Sequence, residues 1–118
     1  MSEISMQSKC VQWYWNEFRF TSNKRMLHCN MNNSFNRIAG AIAKSLGVVS
    51  GVSDCEFIDY GGVTWYIEFK LPGGKQSPEQ IEFQKEVEAR GHKYIIIYSF
   101  EEFKSFIIKR IASWSTGK

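Results

Sequence analysis

The sequence predicts an α/β sandwich around a mixed sheet, and three observations carry that prediction. Within residues 53–70, two segments of alternating apolar and polar side chains flank Gly61-Gly62, the pattern of an antiparallel hairpin. Ser77-Pro78-Glu79-Gln80 then combines an N-cap serine, proline at the first helical position and a capping-box glutamine. After that helix comes Tyr94-Ile95-Ile96-Ile97-Tyr98, so a helical crossover joins the hairpin to a further strand. The 118 residues, 43% hydrophobic and 15% aromatic, suffice for one core without metal or disulfide staples. Residues 1–118 therefore read as one domain, with a loose tail at 115–118.

In chain order, the first helix starts at Ser2 as N-cap and ends near Glu17. Its apolar stripe carries Ile4, Val11, Tyr14 or Trp15, and Phe18. A short strand is expected around Met26 to Cys29, then a turn at Asn30 to Asn33. A second helix runs from Ser34, with Phe35, Ile38, Ala39, Ile42 and Leu46 on one face and Gly47 as its stop.

Register decides the hairpin. A two-residue loop would pair Tyr60 with Val63 and mix polar with apolar side chains on each face. A three-residue loop, Tyr60-Gly61-Gly62, pairs Asp59 with Val63, Phe57 with Trp65, Cys55 with Ile67 and Asp54 with Glu68. This second register is the one expected, because it sorts the faces. Cys55, Phe57, Val63, Trp65, Ile67 and Phe69 form an apolar face; Asp54, Glu56, Tyr66, Glu68 and Lys70 gather on the other. The helix from Ser77 should end near Arg90, with Phe83 and Val87 inward and Gly91 as stop. Tyr94 to Tyr98 reads as a fully buried strand, and Ser99-Phe100-Glu101-Glu102 caps a last helix bearing Phe103, Phe106, Ile107, Ile111 and Trp114.

Composition excludes several classes. Nine glycines and two prolines are too few for a collagen-like chain, and the apolar content is too high for a disordered one. No apolar run approaches the roughly 20 residues of a membrane span. Met1-Ser2-Glu3-Ile4-Ser5 lacks the features of a secretory signal, so a cytoplasmic location is expected. Cys10, Cys29 and Cys55 are odd in number and far apart, which favours reduced thiols, and with His28 and His92 they lack zinc-ligand spacing. A net charge of +3 decides nothing about partners. Lys9, Arg19, Lys24, Arg25, Arg37, Lys44 and Lys75 read equally as phosphate contacts or as solvated surface. Trp13, Tyr14, Trp15 and Phe18 exceed what one helix stripe can bury, and an exposed remainder would favour dimerisation.

Chemistry concentrates at Asp54, Glu68 and Lys70. Side chains two apart in a strand share a face about 6 to 7 Å apart, and directly paired residues have Cβ atoms about 5 Å apart. The expected register thus brings Asp54 beside Glu68, with Lys70 next to both. Two carboxylates so close repel unless a cation lies between them, and oxygen ligands suit Mg²⁺ or Mn²⁺. Such an ion polarises a phosphoryl oxygen and acidifies water, while the ammonium orients water or offsets phosphate charge. For an isolated Glu-x-Lys, a solvated hairpin face would explain the same residues.

The surrounding motifs are less generic. Gly51-Val52-Ser53-Asp54, Ile67-Glu68-Phe69-Lys70, Gly73-Gly74-Lys75, Ser77-Pro78-Glu79-Gln80 and the Tyr94 to Phe103 segment occur in one order at compatible spacing. In these the sequence resembles the VRR-NUC domain of the PD-(D/E)XK nuclease superfamily, firmly over residues 45–110 and more loosely over the first helix. The resemblance implies a restriction-endonuclease-like α/β/α sandwich and an Mg²⁺-dependent DNA endonuclease in which Mn²⁺ substitutes. Stand-alone bacteriophage and bacterial versions are associated with homodimers that cut Holliday junctions.

By the same resemblance, Asp54, Glu68 and the main-chain carbonyl of Phe69 would bind metal, and Lys70 would position the attacking water. Gln80 would reach back towards the site, although it is equally explained as a helix cap. Glu3 would complete the outer shell with Gln7 behind it, unless it only complements the helix dipole. Lys75, Arg37 and Lys44 are the expected DNA contacts. The family usually has proline at the position of Ser53 and leucine at that of Phe69; neither change removes a ligand. The expected partner is branched DNA, in a bacterial cell or as a phage-encoded protein. A non-catalytic nucleic-acid-binding module, or a nuclease for flaps, forks or DNA ends, are the alternatives.

Overall fold

The computed structural model describes residues 2–30, 41, 42 and 44–116, with 113–116 as backbone only. Helix α1 (Glu3–Phe18) leads through one 3-10 turn, Lys24–Met26, into strand β1 (Leu27–Cys29). There follow β2 (Cys55–Ile58), β3 (Thr64–Phe69), α2 (Pro78–Ala89), β4 (Lys93–Ile97) and α3 (Phe100–Thr116). The strands form one sheet in the order β1-β2-β3-β4. Its first two pairings are antiparallel and β3 runs parallel to β4, so the sheet is mixed, as expected from the crossover.

The hairpin adopts the face-sorting register, with Cys55 opposite Ile67 and Phe57 opposite Trp65. Asp59 N donates to Val63 O at 2.9 Å, closing a loop of Tyr60, Gly61 and Gly62 whose glycines have φ of 75° and 79°. One sheet face packs Cys55, Phe57, Ile67, Phe69 and Ile97 against Met6, Cys10 and Tyr14 of α1 and Phe103 and Ile107 of α3. The other face is covered by α2, where Val87 is buried and the Phe83 ring meets Tyr66 edge-on at 5.3 Å. The result is an α/β/α sandwich in which, among the described residues, α1 and α3 lie on one side and α2 on the other.

Helix α1 buries most of the expected stripe, with Val11 and Tyr14 in the core and Phe18 packed against it, but Met6 and Cys10 join them in place of Ile4. Ile4 and Trp15 are 64% and 48% exposed, whereas Met6, Cys10 and Tyr14, one turn apart each, are at most 1% exposed. Met6 and Cys10 share the core cluster with Phe103 and Ile107 of α3, and Ile4 lies outside it. Trp13 meets Phe18, Phe100 and Phe103 edge-on at 6.1 to 6.2 Å, so Trp15 is the exposed member of the aromatic cluster. Ser2 caps the helix as expected, with Ser5 rather than an acid as its reciprocal partner.

The start of the expected second helix, including Ser34, Phe35, Arg37, Ile38 and Ala39, lies outside the described residues. Its end is helical at 41, 42, 44 and 45, and Gly47 stops it at φ 97°. Ile42 and Leu46 are exposed there, at 56% and 80%, and not buried as the periodicity suggests.

Strand β4 runs from Lys93 to Ile97 and is half-buried at Ile95 and Ile96. It is an edge strand, which explains why it is not buried throughout. Helix α3 continues to Thr116, into the segment expected to be loose. No described helix is long and apolar enough to cross a membrane.

Two features of the frame were not anticipated. Asp59, 7% exposed, accepts from Tyr60 N at 2.8 Å and Trp65 Nε1 at 3.1 Å, and pairs with Arg110 at 2.6 Å. Cys29 and Cys55, opposite one another in the β1–β2 register, form a disulfide, which corrects the expectation of reduced thiols. Strand pairing brings them together across 26 residues of sequence, a proximity that spacing alone does not reveal. Thiol titration of the unreduced, denatured protein should find only the Cys10 thiol; three reactive thiols would refute the bridge. Reduction should cost about 3 kcal/mol in stability through a longer free loop in the unfolded chain.

Candidate functional site

Asp54 stands at the entry to β2, on a turn held from three directions. Gly51 has φ 86°, and a Cβ there would lie 2.8 Å from Glu79 Cβ, so the turn rests against the first turn of α2. Ser53 is fully buried and its hydroxyl donates to Cys55 O at 3.0 Å. From the end of β1, Asn30 Nδ2 donates to Ser53 O at 3.0 Å and Asn30 N to Asp54 O at 2.7 Å. Hydrogen bonds thus constrain the turn at a position where proline would have done so through φ. The Asp54 side chain is fixed in turn, with Phe69 N donating to its Oδ2 at 2.7 Å.

Glu68 comes from the end of β3 on the same sheet face and is 1% exposed. Its Oε1 accepts from the Tyr94 hydroxyl. Its Oε2 is buried without a hydrogen bond, 3.2 Å from Lys70 Nζ in an ion pair. Lys70 lies two residues on, its side chain 13% exposed. The Leu71–Gly74 turn closes through Gly74 N to Leu71 O at 2.8 Å and brings Gly74 against the lysine stem. A Cβ on Gly74 would sit 3.4 Å from Lys70 Cβ.

Burial is the largest influence on Asp54 and raises its pKa above the ordinary 3.8; the Phe69 amide lowers it, Glu68 and Glu3 raise it, and Lys70 lowers it. The folded chain therefore holds this proton more tightly than the unfolded chain does. That stability is fully present below the unfolded pKa and is lost as pH rises through the raised folded value. Asp54→Asn should keep an acceptor for Phe69 N while removing the charge. In metal-free buffer near pH 7 the variant should melt above wild type, with the difference vanishing at acid pH. Thermal melts across pH test this, and an Asp54→Asn protein that melts below wild type at pH 7 would contradict it.

The structure brings together Asp54, Glu68 and Lys70 as the register implied. Glu3 is exposed in the first turn of α1, and its charge reaches Asp54. Among the described residues no three His, Cys, Asp or Glu side chains gather into a metal-binding group. Gln80 spends its carbonyl on the helix cap, accepting from Ser77 N at 2.8 Å. A different amide, that of Gln76, acts on the Tyr94 hydroxyl beside Glu68, opposing the upward push that burial and Glu68 give its pKa. Lys44 and Lys75 are exposed, and Arg37 lies outside the described residues.

Tyr94 and Asn30 are the site residues that sequence reasoning missed. A tyrosine inside an isoleucine-rich strand was the available signal, because a buried hydroxyl needs a partner. Chemically, the site offers two carboxylates on one face, one buried oxygen without a hydrogen bond, and an ammonium beside it. That donor set suits a hard divalent cation, which would satisfy the free oxygen and offset carboxylate repulsion.

No family profile matches the chain, and no curated protein matches it. Among solved structures, one described as "VRR_NUC domain protein" superposes with a TM-score of 0.72 at 20% identity. The match covers 95% of this chain and 89% of that one. The two proteins share a fold over nearly their whole lengths.

Proposed function

We propose that the chain is a VRR-NUC-type, divalent-metal-dependent DNA endonuclease, and that the buried, unbonded Glu68 Oε2 beside Lys70 is the observation that carries this reading. Asp54 and Glu68, with the main-chain carbonyl of Phe69, would hold Mg²⁺, for which Mn²⁺ substitutes. Once bound, the ion supplies Lewis acidity to a phosphoryl oxygen and lowers the pKa of water. The protein's own part is positioning. Asp54 is held by the Phe69 amide and Glu68 by Tyr94, while Lys70, pressed between Glu68 and the Gly74 turn, stands where it can orient water and offset phosphate charge.

The fold shared with a protein named for a nuclease domain supports the reaction class. The proposed substrate is branched DNA, most simply a four-way junction, cut by a homodimer with paired sites. Exposed Lys44 and Lys75, with Arg37, are the proposed phosphate contacts. Incubation with a labelled four-way junction in Mg²⁺, beside matched duplex, fork and flap substrates, tests the assignment. Symmetric junction cutting that EDTA abolishes and duplex escapes is the expected result. Cutting of flaps or forks alone would change the substrate, and binding without cutting in Mg²⁺ and Mn²⁺ alike would remove the enzyme.

A further inference from the structure

We infer that Tyr94 is a positioning residue that makes Glu68 a one-oxygen ligand; the inference rests on reading Asp54 and Glu68 as a cation site. Tyr94 is 9% exposed on β4, on the sheet face covered by α2. Its hydroxyl donates to Glu68 Oε1. Nearby, Gln76 Nε2 donates to Gln84 Oε1 at 3.0 Å, and Gln84 Nε2 donates to Glu88 Oε2 at 3.2 Å.

The hydroxyl has one proton, and it is committed to Oε1. The other oxygen is left beside Lys70 with no hydrogen bond. Tyr94 thereby distinguishes two chemically identical oxygens. Without the phenol, Glu68 could rotate about its last bond and present either oxygen, or both, to Lys70. The ammonium would then compete with a cation for the whole carboxylate. Side chains that orient a ligand in this manner typically change metal affinity by about 10- to 100-fold when altered.

Tyr94→Phe removes the hydroxyl and retains the ring that packs 6.4 Å from Phe83. Mn²⁺ binding, followed by electron paramagnetic resonance of the free ion, should weaken about 10- to 100-fold in this variant. Tyr94→Gln, whose amide can still donate to Oε1, should recover part of the loss, and it tests the proposal independently should Tyr94→Phe fold poorly. Gln84→Ala, on α2 with its hydrogen bonds to Gln76 and Glu88, should bind Mn²⁺ as the wild type does. A purely structural role for Tyr94 predicts a lower melting temperature with unchanged Mn²⁺ affinity, and that result would overturn the inference while leaving the cation site intact. Failure of the wild type itself to bind Mn²⁺ would overturn the functional reading and this inference together.

Discussion

Lys70→Ala should lower the rate of junction cutting by about a hundred- to a thousandfold, the scale of losing one preorganised charge at a reacting centre. Junction affinity should change little, because one lysine, 13% exposed and turned inwards, contributes little to the field that draws DNA. The variant also leaves Glu68 buried without its ammonium, so binding and melting must be measured beside activity. A folded Lys70→Ala protein that cuts at the wild-type rate would remove Lys70 from the mechanism. One that neither binds nor cuts would assign it to the DNA surface.

A large expected effect on stability lies on the opposite face of the sheet. Arg110→Ala should destabilise the fold by about 3 kcal/mol, because it strands the Asp59 carboxylate, whose side chain is 2% exposed. The backbone amide of Tyr60 and the indole of Trp65 remain as donors, but neither carries a charge. Packing is lost too, since the guanidinium lies 5.4 Å over the Trp65 ring. In a domain of this size the melting temperature should fall by more than about 10 °C. Combining Arg110→Ala with Asp59→Asn should recover part of the loss, because no unpaired buried charge remains. Chemical denaturation of the two single variants and the double variant measures the coupling, and a loss below about 1 kcal/mol in Arg110→Ala would reduce the pair to an ordinary surface contact.

Much of the candidate-site geometry was legible because a strand has a period of two. Once the two glycines set the loop length, parity alone placed Asp54, Glu68 and Lys70 on one face and Cys55, Phe57, Ile67 and Phe69 on the other. The start of α2 was equally readable, since Ser77 and Gln80 satisfy each other's backbone groups locally.

What escaped depends on how separate elements align. Tyr94 meets Glu68 only through the parallel offset of β3 and β4, set by the Leu71–Gly74 turn and the length of α2. Asp59 and Arg110 are joined by the docking of α3 across the hairpin, and Cys29 and Cys55 by the register of a three-residue strand. On helix α1 the places of Val11, Tyr14 and Phe18 were readable, and those of Met6 and Cys10 escaped for a related reason. Apolar side chains occupy more than one of its faces, and α3 chooses which face is covered.

The approach of Gly51 to Glu79 limits how this chain can drift. Gly62 also has positive φ, at 79°, but nothing lies within 4 Å of a Cβ built there. Asparagine, which tolerates that conformation, can replace Gly62 without displacing anything. At Gly51 the same exchange would drive a side chain into the main chain of α2, so backbone tolerance gives no escape. Lineages descending from this sequence are therefore free to vary the tip of the hairpin, while position 51 stays fixed until the helix beneath it moves.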